Sequence, residues 1–99
     1  MKSLFISQPM RDKTDEEIMA EREKAIKEVE EKIGEEVSPI MSFFNTTPNN
    51  VNTGLWCLAK SLELLAAADI CYFVGGWEDY RGCCIERECA EKYDVKIVE

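Results

Sequence analysis

Apolar and polar positions fall into blocks along this chain, and the spacing within each block names the element it can build. Leu4-Phe5-Ile6 is a short apolar run closed by Gln8 and Pro9, the pattern of a buried strand followed by a turn. Thr14-Asp15-Glu16-Glu17 then matches a capping box: a hydroxyl that can accept from the backbone three residues on, and a glutamate able to reach back. Ile18, Arg22, Ala25, Ile26, Val29 and Ile33 recur at helical spacing, with glutamates and lysines filling the solvent face, until Gly34 offers a left-handed stop.

From Val37 to Ala59 the chain carries no charged residue, in sharp contrast to the helix before it. Val37 to Phe44 reads as a second strand. Asn45 to Gly54 is a polar, turn-rich loop: either an ordinary solvated connection or one that works through its amides and hydroxyls. Leu55, Leu58, Leu62 and Leu65 mark a second helix, with Trp56 beside them, ending near Ala68. Ile70 to Val74 is almost wholly apolar and reads as a third strand covered on both faces, broken by Gly75-Gly76-Trp77. A third helix is predicted from about Gly82 to Tyr93, with Ile85, Cys89 and Tyr93 along one face, and Val95 to Val98 supplies a last strand.

The order β-α-β-α-β-α-β implies right-handed crossovers and an α/β three-layer fold: a short four-stranded parallel sheet with three helices on its two faces. In such sheets ligands gather at the carboxyl ends of the strands, near the point where strand order reverses. Three segments meet that description here: Ser7 to Lys13, Asn45 to Gly54, and Gly75 to Gly82.

Composition narrows the function classes. Ninety-nine residues, 45% of them apolar, suffice for one core, so residues 1–99 are expected to form a single domain, and a site can lie on it or between copies of it. A homo-oligomer is expected. The formal net charge of -8 and the absence of histidine argue against nucleic acid or an anionic membrane as partner, because neutralising phosphates needs clustered lysine and arginine. No apolar run approaches the roughly 20 residues of a membrane span. The start, Met1 to Pro9, is too short and too quickly polar for a signal peptide, so a cytoplasmic protein is expected. The five cysteines are odd in number and include the adjacent pair Cys83-Cys84, which reads as reduced thiols, with Cys57, Cys71 and Cys89 acting as small apolar residues. With no histidine and no C-x-x-C pair, neither a metal nor a cofactor is expected.

The candidate chemistry collects at strand ends. Gly82 allows a tight entry into the third helix, leaving the amides of Cys83, Cys84 and Ile85 free for a polar ligand. Glu86 is expected in the first turn, where the helix dipole favours its ionised form. There it either stabilises the helix or acts as a nucleophile toward an electrophilic carbon such as the anomeric carbon of a sugar. Arg11, at the strand end with Ser7 and Gln8, either holds a phosphate or carboxylate or pairs with Asp12 or Asp15. Trp77 either stacks on a base or sugar, or belongs to the core or a subunit interface. Cys83 or Cys84 could carry a lowered pKa at a helix amino end, but no histidine is present to serve as base.

Three segments together resemble the nucleoside 2-deoxyribosyltransferase-like proteins, within them a small bacterial and phage branch: Leu4-Phe-Ile-Ser-Gln-Pro-Met-Arg11, the Ala68-Asp69 pair, and Gly82-Cys-Cys-Ile-Glu-Arg-Glu-Cys-Ala90. The last is similar to the family motif Gly-x-x-x-Glu-x-x-x-Ala. The resemblance implies a flavodoxin-like fold, a nucleoside or nucleotide ligand, and cleavage of its N-glycosidic bond with transfer of the 2-deoxyribosyl group to another base or to water. It implies Glu86 as nucleophile, Pro9 and Met10 against the sugar or base, Gly82 and Cys83 approaching through backbone, and neighbouring subunits completing the site. Three departures stand beside it. Phe5 replaces a first-strand tyrosine whose hydroxyl touches the glutamate in the family. Gly75 and Gly76 stand where an acidic residue usually helps the leaving base, with Asp79 as its possible substitute. The glycine-rich phosphate loop of the nucleotide-hydrolase branch is absent from Gln8 to Asp12. The alternative is a protein of the same fold that binds or sequesters a nucleotide-like metabolite without turnover.

Overall fold

The computed structural model describes residues 1–42 and 47–99. Thr14 makes the capping box that its sequence announces: its hydroxyl accepts from the Glu17 amide at 3.1 Å and Glu17 reaches back to the Thr14 amide at 3.4 Å. Helix α1 (Asp15–Ile33) starts there and stops at Gly34, whose φ of 75° lets its amide turn back to the Glu30 carbonyl at 2.9 Å. Strand β1 (Lys2–Ser7) precedes α1 and β2 (Val37–Pro39) follows it. Helix α2 (Thr53–Ala66) is capped by Asn52, whose side chain accepts from the Leu55 amide at 3.0 Å. Strand β3 (Ile70–Phe73), a single 3-10 turn (Trp77–Asp79), α3 (Arg81–Lys92) and β4 (Lys96–Val98) complete the order.

The four strands are all parallel, in the order β2-β1-β3-β4. Leu4 to Ser7 of β1 register against Ile70 to Phe73 of β3, and both central strands are mostly buried. The alternation of side chains along β1 divides the core. Leu4 and Ile6 meet Ala25 and Val29 of α1 with Ile70 and Val98, whereas Phe5 joins Leu65 of α2, Ala90 of α3, Cys71 and Phe73 on the other face. Each leucine, isoleucine, valine or phenylalanine among them stabilises the fold by about 1.5–3 kcal/mol on leaving water. The result is the α/β three-layer arrangement, a four-stranded parallel sheet with three helices, expected from the element order.

The boundaries differ where backbone chemistry intervenes. Strand β2 is shorter than Val37 to Phe44, because Pro39 lacks an N–H and sits on the sheet edge, where proline is tolerated. The Ile40 amide still reaches the Leu4 carbonyl at 2.8 Å, and Ser42 then turns inward to donate to the Ile6 carbonyl at 3.3 Å. Phe43 and Phe44, and the first residues of the loop from Asn45, lie outside the described residues. The end of that loop is a helix start instead, since Asn52 caps α2. Cys71 is fully buried, and burial pushes its thiol up to about 12, as suits an inert core residue. Among the described residues no helix is long and apolar enough to cross a membrane.

Candidate active site

Strand order reverses between β1 and β3, since the chain passes from β1 through α1 to β2 on one side and returns through α2 to β3 on the other. At their carboxyl ends lies an open cavity of about 630 Å³. Its walls are the end of β1 and the following loop (Phe5 to Arg11), Ser42, residues of α2 from Gly54 to Ser61, and the segment from Asp79 to Cys83 together with Glu86. A crevice at such a switch point is where open parallel sheets bind ligands.

Glu86 is nearly out of solvent, 8% exposed. Helix α3 opens at Arg81, and Glu86 is its sixth residue, in the second turn and not in the first as expected. Its charge state is therefore set by its surroundings more than by the helix end. Burial pushes its carboxyl above the ordinary range, while hydrogen bonds from Ser7 and then Ser61 pull it back. The Ser7 hydroxyl donates to Glu86 Oε1 at 2.6 Å. Ser7 can do so because it shares the face of β1 occupied by Phe5, the face covered by α2 and α3. Phe5 also lines the cavity and brings no hydroxyl, so Ser7 supplies the O–H that Phe5 lacks.

The sequence-derived site residues are largely brought together. Ser7, Gln8, Pro9, Met10, Arg11, Asp79, Gly82 and Cys83 all line the cavity with Glu86. Gln8 is buried and donates through Nε2 to the Ile18 carbonyl at 3.0 Å, fastening the end of β1 to the first turn of α1. Its Oε1 is buried without a partner among the described residues. Arg11 is exposed on the rim, with its guanidinium 5.2 Å from the centre of the Tyr80 ring. Asp79 is exposed, carried to the rim by the 3-10 turn whose amide bond runs to the Gly76 carbonyl. Burial raises the Cys83 thiol above its ordinary value; contact with Ser7 lowers it and the neighbouring Glu86 raises it again. A reactive thiolate is not favoured there.

Trp77 is placed elsewhere. Gly76, at φ 93°, turns the chain after β3 so that the indole packs edge-on against Phe73 at 5.7 Å and under the Arg87 guanidinium at 5.0 Å, away from the cavity lining. The Ala68-Asp69 pair lies at the opposite end of the sheet: Asp69 accepts from the Ser3 amide at 2.8 Å and Ser3 hydroxyl at 3.2 Å, bracing the start of β1.

Several lining residues were not singled out from sequence. Gly54, Cys57 and Ser61 form one stripe of α2, at spacings of three and four, and Leu58 of the neighbouring leucine stripe lines the cavity with them. That small and polar stripe was the available signal. Arg22, placed by its spacing on the buried face of α1, donates to Ser42 Oγ at 3.2 Å and to the Ile40 carbonyl, so it braces the wall that Ser42 contributes. Comparison of the chain with protein-family models, curated proteins and solved structures found no match.

Proposed function

We propose that this protein cleaves the N-glycosidic bond of a nucleoside or nucleotide, passing the 2-deoxyribosyl group to another base or to water through Glu86. The observation that carries the reading is the Glu86 carboxylate held by the Ser7 hydroxyl at 2.6 Å in a cavity at the switch point of the sheet. A carboxylate largely stripped of water and oriented by serine hydroxyls can present an oxygen for attack on carbon. In that step the Glu86 oxygen forms a bond to the anomeric carbon as the carbon–nitrogen bond breaks. The bonding pair leaves with the base, which takes a proton from an acid, and Asp79 on the rim is the residue assigned to that role. Water or a second base then opens the glycosyl ester and regenerates the carboxylate.

The first test is incubation with a panel of 2′-deoxynucleosides and their monophosphates, with free base measured by chromatography. Base release that disappears in Glu86→Gln supports the reading, and absence of release from every member rejects it. A second reading, binding without turnover, is favoured by the raised carboxyl of Glu86 and by Phe5, which leaves the carboxylate one aromatic hydroxyl poorer. Affinity for panel members that survives Glu86→Gln, with no base released, would select it.

A further inference from the structure

Five of the twelve lysines and arginines of this acidic chain are tied to carboxylates among the described residues: Lys2, Lys13, Lys60, Arg87 and Lys92. Arg87 is paired twice, whereas Arg11 and Arg81 meet no carboxylate among the described residues, and both line the same cavity. They come from different elements, Arg11 from the loop after β1 and Arg81 from the first position of α3. Tyr80 joins them, because Arg11 lies over its ring at 5.2 Å and Arg81 follows it in the chain. Arg81 extends the other way, its Nη2 standing 3.3 Å from where a Cβ on Gly54 would sit, so the missing side chain of Gly54 makes room for it at the head of α2.

We infer that these two arginines hold the phosphate of a phosphorylated ligand, which makes a nucleoside monophosphate, and not the free nucleoside, the preferred occupant of the cavity. This rests on the glycosidic reading above for the rest of the ligand, but the arginine pair stands on its own geometry. Two guanidiniums offer two positive charges and planar forks of donors, which match a phosphate dianion better than a single carboxylate. A chain of net charge -8 repels anions in general, so an anionic group enters only where local cations outweigh that field. The carboxylates lining the cavity do not cancel the pair: Glu86 is buried against Ser7, and Asp79 lies beyond ion-pair distance of either arginine. This phosphate grip needs no glycine-rich loop, which the segment Gln8 to Asp12 lacks.

The test is calorimetric titration of the whole chain with 2′-deoxynucleosides, their 5′-monophosphates and inorganic phosphate, for the wild type, Arg11→Ala, Arg81→Ala, the double variant and Arg81→Lys. The monophosphates are expected to bind at least about tenfold tighter than the nucleosides, and each alanine variant to cut that ratio about tenfold. Arg81→Lys, which keeps charge but loses the fork, should fall between, and added salt should shrink the ratio in the wild type. Both arginines are at the rim, and unchanged circular dichroism of the variants checks that they fold. Equal affinity for nucleoside and monophosphate overturns the inference, as does failure of the monophosphates to bind or a ratio that survives in the double variant. Arginine-dependent binding of monophosphates or inorganic phosphate without base release would leave the phosphate grip standing and reject the glycosidic reading. Base release from nucleosides and monophosphates alike, indifferent to both arginines, would do the reverse.

Discussion

The Ser7 hydroxyl donates to the Glu86 carboxylate at 2.6 Å, joining the last residue of β1 to the second turn of α3 across 79 positions of the chain. Neither residue could be placed there by its own element alone. The alternation of β1 turns Ser7 toward the face that α2 and α3 cover, and the second turn of α3 sets Glu86 against it. The pair thereby links the folding of the sheet to the charge state of the proposed nucleophile.

Replacing Ser7 with alanine should therefore raise the Glu86 carboxyl further, since burial would then be opposed by Ser61 alone. The direct measurement is a side-chain NMR titration of Glu86 in both proteins. Loss of a hydrogen bond to a charged group should also lower stability near neutral pH by about 1.5–3 kcal/mol, limited by the ability of the carboxyl to protonate instead. An unchanged Glu86 titration in Ser7→Ala would show that the hydroxyl does not tune the carboxyl.

Trp77 provides the contrasting case, a prominent aromatic near the site that the fold uses for packing. Trp77→Ala removes the edge contact to Phe73 and the surface under Arg87, and should cost about 2–4 kcal/mol in urea unfolding. Affinity for nucleotides should stay within about twofold of wild type, because the indole does not line the cavity. A selective loss of affinity with little loss of stability would return Trp77 to the binding site.

Arg22 is a buried cation whose partners are neutral oxygens, Ser42 Oγ at 3.2 Å and the Ile40 carbonyl. Burial lowers its pKa accordingly. Arg22→Met keeps the bulk and the apolar stem contact but strips a donor from both oxygens, at an expected cost of about 1–3 kcal/mol in denaturant unfolding. Because Ser42 forms one wall, ligand affinity should fall as well, and a variant as stable as wild type would refute the bracing role.

The elements that were legible in the sequence carry their signals locally. Thr14 and Glu17 cap α1 three positions apart, Gly34 ends it, and the apolar runs of β1 and β3 need no knowledge of their neighbours. The start of α3 was legible only to within a residue, because Tyr80 caps it without a side-chain bond and no Ser, Thr, Asp or Asn marks the position. Glu86 lies in the second turn from either start, so burial and its hydroxyl partners, more than the helix end, set its charge. Ser61 and Arg81 were missed because they matter only through how α2 and α3 sit beside each other, which no local pattern states.

The raised carboxyl of Glu86 has a consequence for stability whose sign can be worked out. Folding favours the protonated form, so the folded state binds more protons than the unfolded one between the ordinary carboxyl value of 4.5 and the higher value in the fold. The contribution of Glu86 is fully present below that ordinary value and is lost as pH rises through the folded one. Asp69 works in the opposite direction and in a different window: the Ser3 amide and then its hydroxyl hold its carboxyl below the ordinary 3.8, so its contribution is lost as pH falls. Glu86→Gln replaces the titrating group with a neutral one of the same shape, whose side-chain oxygen can still accept from Ser7. Denaturant midpoints measured from about pH 4 to 8 should fall less steeply with pH in the variant above the Asp69 window, leaving it equal to or more stable than wild type near neutrality. Base release should vanish in the same protein. Identical slopes in the two proteins would mean that Glu86 is not held above its ordinary range, and the account of a desolvated carboxylate would have to be given up.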